Sequence, residues 1–206
     1  MQGYITIAKQ ATAELLEKRS RFLSLALPVS CEDEANAALG ELRSRYWDAN
    51  HNCYAYILRS GGIQRYSDDG EPSGTAGMPI LEVIRRKGLV DVMVVVTRYF
   101  GGTLLGAGGL VRAYSKSAAL ALDGAEILRM TPCTVFTLEL PYHHYGKLAK
   151  ILQGFLVAVL EDDFADVIHL TLRIPSDRLS AFEKELAELS AGGAAVKILR
   201  EEFAPV

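Results

Sequence analysis

The run Val92 to Tyr99, VMVVVTRY, opens with five consecutive apolar residues. A strand without alternation offers no face to water, so it belongs in the middle of a sheet covered on both sides. The chain has the material for such an arrangement. It is 206 residues long and half hydrophobic, enough for one large domain or two small ones.

Around this strand the periodicity predicts alternating elements. Thr12 to Leu16 and Arg21 to Leu27 read as strands joined by the charged turn Glu17 to Ser20. From Cys31 to Tyr46 the period changes: Ala35, Ala38, Leu39, Leu42 and Tyr46 share one helical face. Glu32, Asp33 and Glu34 fall in the first turn, where acids suit the helix dipole. Asn52 to Leu58 reads as a strand, Gly61-Gly62 as a hairpin turn and Ile63 to Tyr66 as the return. Helices are expected over Met78 to Lys87, with Pro79 in the first turn and Gly88 as the stop, and over Leu110 to Leu122.

A boundary is expected near Met130-Thr131-Pro132, which divides the chain into domains 1–130 and 131–206. Beyond it come strand Thr134 to Leu140, helix His143 to Gln153, strands Leu156 to Glu161 and Asp166 to Ile174, helix Ser176 to Leu189 and strand Ala195 to Glu201. The order βαββαβ is that of a ferredoxin-like domain, so the fold class is α+β.

Composition narrows the function. A net charge of -3 does not suggest a strongly basic nucleic-acid binder, although a local basic face remains open. Cys31, Cys53 and Cys133 form no C-x-x-C pair, which disfavours structural zinc and suits a reducing cytoplasm. No stretch approaches the roughly 18–20 apolar residues of a bilayer span, and the first residues do not read as a secretory signal. The expectation is a cytoplasmic protein without membrane attachment.

Two segments carry candidate chemistry. The first runs from Arg98 to Leu110 and has five glycines in nine residues: Gly101, Gly102, Gly106, Gly108 and Gly109. It follows a buried strand and opens a helix, whose first N–H groups lack intrahelical partners and carry the positive end of the dipole. Such a terminus accepts phosphate or carboxylate, with Arg98, Arg112 and Lys116 able to add charge. The segment is neither a Walker A loop nor the dinucleotide fingerprint, so neither ATP nor NAD follows and no cofactor is implied. The glycines serve equally well as tight packing between strand and helix.

The second segment is the loop Ser67 to Gly77, where Asp68, Asp69 and Glu71 place three carboxylates in four residues. They have the chemistry to hold a magnesium ion. A solvated turn, with Ser73 and Thr75 capping the next helix, ranks above a metal site. A Ser73–His51 nucleophile pair is formally available. His51 at a strand edge reads first as a hydrogen-bonded structural residue, and Cys53 as a small buried hydrophobe. Tyr46 and Trp47 read as packing residues.

The segments Asp68 to Pro79 and Val95 to Gly102, with Leu105 to Tyr114, closely resemble the signature of the IMPACT/YigZ family. Ser20-Arg21-Phe22 and His51-Asn52-Cys53 match lesser landmarks. The resemblance spans essentially the whole chain, including the C-terminal extension of bacterial YigZ-type members. It implies an N-terminal domain like the second domain of ribosomal protein S5, followed by a ferredoxin-like domain similar to one in elongation factor G. The eukaryotic relative regulates translation by competing for the activator of a starvation-sensing kinase. Bacteria lack that pathway, so the expected inheritance is association with ribosomes, RNA or a translation-related protein. The resemblance supplies no catalytic residues. The alternative is a small-molecule enzyme acting on a phosphorylated ligand at the same loop.

Overall fold

A computed structural model describes residues 2–206, which divide into two compact units, Tyr4–Leu128 and Arg129–Val206 with the residues before Tyr4. In the first unit the elements are β1 (Tyr4–Ile7), β2 (Ala11–Glu17), β3 (Ser20–Pro28), α1 (Glu32–Arg45), β4 (His51–Ile57), β5 (Gln64–Ser67), α2 (Gly77–Arg86), β6 (Val92–Tyr99) and α3 (Ala107–Asp123). The sheet order is β2-β3-β6-β4-β5, with every pairing antiparallel.

The apolar run is β6, and it sits at the centre of that sheet. Its period of two sends Val92, Val94 and Val96 into one core with Phe22, Ile80 and Tyr114, beneath α2 and α3. Met93 and Val95 enter a second core with Leu39, Leu42 and Tyr56, beneath α1. Each fully buried side chain of this kind contributes about 1.5–3 kcal/mol, so the strand feeds two cores at once. Between β2 and β3 a two-residue turn places Lys18 at φ 45° and Arg19 at φ 70°. Two consecutive left-handed residues match the natural twist of a hairpin.

The second unit runs β7 (Ile127–Leu140, of which it holds the part from Arg129), α4 (Tyr142–Gly154), β8 (Ala158–Phe164), β9 (Ile168–Pro175), α5 (Leu179–Ser190) and β10 (Val196–Pro205). Its strands lie in the order β10-β7-β9-β8, all antiparallel. Leu148 of α4 and Phe182 and Leu186 of α5 share one core with Phe136, Leu138, Leu170 and Leu172 of the sheet.

Several boundaries differ from expectation. The strand expected from Thr134 starts at Ile127 and carries on through Pro132, which lies opposite Phe203 in the β7–β10 ladder. Proline is tolerated in a strand where its missing donor leaves no ladder bond unmade. Helix α3 begins at Ala107, three residues early, so Gly108 and Gly109 form its first turn and are not loop. Ser176 does not cap α5; its hydroxyl pairs with Thr134 at 2.9 Å. Trp47 is 83% exposed and packs in no core. β1 carries no strong pattern and is held by a parallel bridge from Ile5 to Leu89.

Candidate functional site

The acidic loop between β5 and α2 is built from the inside. One carboxylate oxygen of Asp68 accepts from the N–H groups of Ala76 and Gly77 at 3.0 and 2.8 Å, and the other accepts from Gly74 at 2.8 Å. Asp68 therefore satisfies the open end of α2, the role expected of Ser73 and Thr75. Ser73 is exposed, and the Thr75 hydroxyl donates to the Pro72 carbonyl at 2.6 Å. Asp69 bridges outward: it accepts from Arg43 at 2.7 Å and from the Asn52 N–H at 2.7 Å. With these contacts made, Asp68 and Asp69 are structural anchors. Among the described residues no three His, Cys, Asp or Glu side chains are grouped to hold a metal ion.

Glu71 turns inward, with its side chain 3% exposed. Its Oε1 accepts from Arg98 Nη1 at 2.6 Å and from the Tyr114 hydroxyl at 2.7 Å. The Cys53 thiol lies 3.4 Å from the Tyr114 oxygen and 2.9 Å from the Asp68 carbonyl. This chain of contacts ties β4, β6, α3 and the loop together. Arg98 is thus a buried partner of Glu71, not the free surface cation that an anion clamp needs. Its Nη2 donates to the Ser20 hydroxyl at 3.3 Å, and its guanidinium lies 5.4 Å from the Phe22 centroid and 5.5 Å from that of Phe100. Its Nε–H is buried and has no acceptor.

The glycine segment separates into three roles. Gly101 allows close approach: a Cβ there would lie 2.0 Å from the Arg19 carbonyl carbon and oxygen. Gly102 and Gly106 take positive φ, 78° and 71°, to turn the chain from β6 into α3. Gly109 sits against Leu105, where a Cβ would meet it at 3.0 Å. Gly108 has neither demand, since its φ is helical and a Cβ would meet nothing closer than the Arg112 side chain at 3.6 Å. Helix α3 is capped by Gly106 with no side-chain hydrogen bond, so its first turn is bare.

That bare turn opens into a concave pocket of about 430 Å³. Its wall includes Asn50, His51, Glu71, Arg98, Phe100 and Ala107, so the acidic loop and the glycine segment do meet. Asp68, Asp69, Ser73 and Thr75 stay outside this wall. Arg112 and Lys116 line an adjoining groove of about 240 Å³ with Lys18 and Gly109, and Leu105 borders both spaces. The sequence offered His51 only as a structural residue or a formal partner of Ser73, and Tyr114 only as part of the family signature. His51 Nδ1 lies 2.8 Å from the Asp69 carbonyl, which only accepts, so Nδ1 carries the proton. Nε2 lies 3.9 Å from Glu71 Oε1. Tyr114 is fully buried, and a buried phenol must find a hydrogen-bond partner, here Glu71.

Burial pushes the Cys53 thiol up to about 12, Tyr114 countering and the nearby carboxylates adding to the shift. Burial raises the Cys133 thiol as well, and burial with Cys53 and Glu71 drives the Tyr114 phenol far above its ordinary range. Cys53 holds its proton in the folded state beyond the pH at which an unfolded thiol loses it. Its contribution is therefore whole below pH 9.0 and declines as pH rises toward 12. Labelling of the native protein at pH 8 with an aromatic disulfide reagent is expected to modify Cys31, the exposed thiol, and spare Cys53 and Cys133 until denaturant is added. Rapid release of three thiols without denaturant would contradict this.

Comparison with known proteins places this architecture. Residues 18–122 match the Impact N-terminal domain, and residues 138–192 match a domain of unknown function, DUF1949. The chain is 34% identical to IMPACT family member YvyE of Bacillus subtilis over 198 residues, 96% of this chain and 91% of that protein. It is 31% identical to IMPACT family member YigZ of Escherichia coli over 204 residues, 98% of this chain and 100% of that one. Protein IMPACT of Rattus norvegicus matches over 98 residues at 35% identity, 46% of this chain and 31% of the rat protein. A solved structure described as a hypothetical protein superposes with a TM-score of 0.62 at 30% identity, over 97% of this chain and 98% of its own.

Proposed function

Because the chain belongs to the IMPACT family, we propose that it is a translation-associated regulatory factor, not an enzyme, that binds RNA or the ribosome. Phosphates would meet the bare first turn of α3, with Arg112, Lys116 and Lys18 alongside. The observation that carries this reading is the uncapped α3 terminus, whose Gly106 and Ala107 line a pocket, followed by Gly108 where neither packing nor φ asks for glycine. A glycine in a helix costs up to about 1 kcal/mol against alanine, so a bare terminus is kept at some expense.

The fold supports the same reading by analogy. The order β10-β7-β9-β8 with two helices on one core is that of ferredoxin-like domains. The antiparallel five-stranded sheet under α2 and α3 suits a relative of the second domain of ribosomal protein S5. Domains of both kinds recur in ribosome-binding proteins. Cytoplasmic residence and a translation-related protein partner belong to the same proposal. No helix among the described residues is long and apolar enough to cross a membrane.

Filter binding of single-stranded RNA at increasing salt, with ribosome co-sedimentation, tests the proposal. Each lost phosphate contact to a single strand lowers the salt slope by about 0.7, so Arg112→Ala with Lys116→Ala is expected to reduce it by about 1.4. Absence of RNA binding at low salt together with absence of co-sedimentation would sink the idea. Gly108→Asp sharpens the test, because an acid in the first turn favours the helix by about 0.3–1 kcal/mol while repelling an anion. Unfolding free energy should hold or rise while RNA affinity falls. Unchanged affinity in that variant would remove the α3 terminus from the contact.

The alternative, an enzyme for a phosphorylated small molecule, draws on His51. Its Nδ1 donates to the Asp69 carbonyl, and its Nε2 lies 3.9 Å from Glu71 Oε1 in the pocket wall. A thermal-shift screen of phosphorylated metabolites favours that reading if one ligand stabilises the protein and His51→Ala abolishes the shift.

A further inference from the structure

The pocket at the α3 terminus is only partly polar. Phe100, Leu104, Leu105 and Leu110 supply an apolar side, while Asn50 and His51 supply polar edges. Phe100 remains 44% exposed and Leu104 83% exposed, so the fold holds two large apolar groups at the mouth without burying them. Leaving such groups in water is unfavourable, and exposed apolar surface beside polar groups marks a binding site. The Arg98 guanidinium lies 5.5 Å from the Phe100 centroid, close enough to steady the ring from the protein side.

The charges of the pocket choose among anions. Arg98 is balanced by Glu71, buried with it. Their two formal charges cancel in the wall. What remains is the dipole end of α3, equivalent to about half a positive charge. That suits a single negative charge far better than a polyphosphate. A second sign is independent of the helix. Arg98 is 5% exposed, lies in this wall, and keeps one buried N–H without an acceptor, so the arrangement is short of one acceptor group. The groove that adjoins at Leu105 is lined by Lys18, Arg112 and Lys116 against the single acid Glu17, and this net positive charge gives further negative charges of a chain somewhere to run.

We propose that this pocket seats one unstacked nucleotide of a single-stranded RNA, its base against Phe100 and Leu104 and its phosphodiester at the start of α3, where Gly106 and Ala107 line the pocket. The flanking phosphates follow α3 toward Arg112 and Lys116. This deepens the RNA-binding reading and rests on it. It adds that the site distinguishes single strands from duplexes, because a paired base cannot leave its stack without cost.

The test compares a short single-stranded RNA, the duplex of the same sequence, and adenosine monophosphate as a free nucleotide. The single strand is expected to bind at least about tenfold more tightly than the duplex. Phe100→Ala should weaken single-strand binding about tenfold or more, the scale of losing one stacked base, and Phe100→Trp should retain it. Phe100 is half exposed, so these variants are expected to fold; Leu104→Ser at the mouth serves if they do not. Equal binding by folded Phe100→Ala and the parent overturns the base seat while leaving RNA binding intact. If the parent binds no RNA at all, the broader reading fails. The pocket then stands only if the monophosphate raises Tm and Phe100→Ala abolishes the rise, and falls if it does not.

Discussion

Glu71→Leu is expected to lower the unfolding free energy by about 3–5 kcal/mol, the scale of breaking a buried ion pair from one side. The substitution strands two donors. Arg98, 5% exposed, keeps its charge with no carboxylate near it, and the Tyr114 hydroxyl loses the acceptor at 2.7 Å. A fall in Tm of about 10 °C or more follows for a unit of this size. Arg98→Met should be comparably damaging, because it leaves Glu71 as the lone buried charge. Combining the two replaces the pair with apolar groups of similar size, and most of the loss should return. Recovery stays incomplete by about 1–3 kcal/mol, since Tyr114 still lacks its acceptor. The measurement is a double-mutant cycle by urea unfolding. A double variant as unstable as the sum of the singles would show that the pair is not the source of the effect.

The same pair explains what the sequence could and could not disclose. The central strand was legible because β6 is buried on both faces, and only a continuous apolar run permits that. The helices α1, α2 and α5 were legible because each buries a stripe at helical spacing. The expected polar roles were harder to read. Asp68, Asp69 and Glu71 look alike in a string of letters, yet one caps α2, one bridges Arg43 and Asn52, and one pairs with Arg98. Those fates depend on partners 8 to 27 residues away, and neither periodicity nor composition encodes such distances. Arg98 was expected at an anion because arginine beside glycines suggests it. Burial next to Glu71 spends its charge inside the protein. The bare end of α3 was legible in kind but not in position, because two of its glycines belong to the helix itself.

Gly101→Ala is expected to cost about 3 kcal/mol or more, beyond ordinary overpacking, because the atoms in the way are backbone. The new methyl would lie 2.0 Å from the Arg19 carbonyl, and 2.5 Å from the Ser20 nitrogen. Neither neighbour can yield cheaply. Arg19 is fixed at φ 70° in a two-residue turn, and Ser20 and Arg21 are held in the ladders to β2 and β6. The Ser20 hydroxyl also accepts from the Gly101 N–H at 3.2 Å and from Arg98 at 3.3 Å, so any retreat of the turn pulls on the guanidinium that pairs with Glu71. Gly108→Ala, seven residues on in the same motif, meets only ordinary contact and should gain up to about 1 kcal/mol from helix propensity. Urea midpoints at constant m-value separate the two. A Gly101→Ala protein within 1 kcal/mol of the parent would mean that the hairpin gives way freely. The packing half of this glycine motif would then have no energetic basis. The opposite signs expected at Gly101 and Gly108 divide one cluster of glycines between two duties, closing the strand onto its neighbour and leaving a helix end open to a ligand.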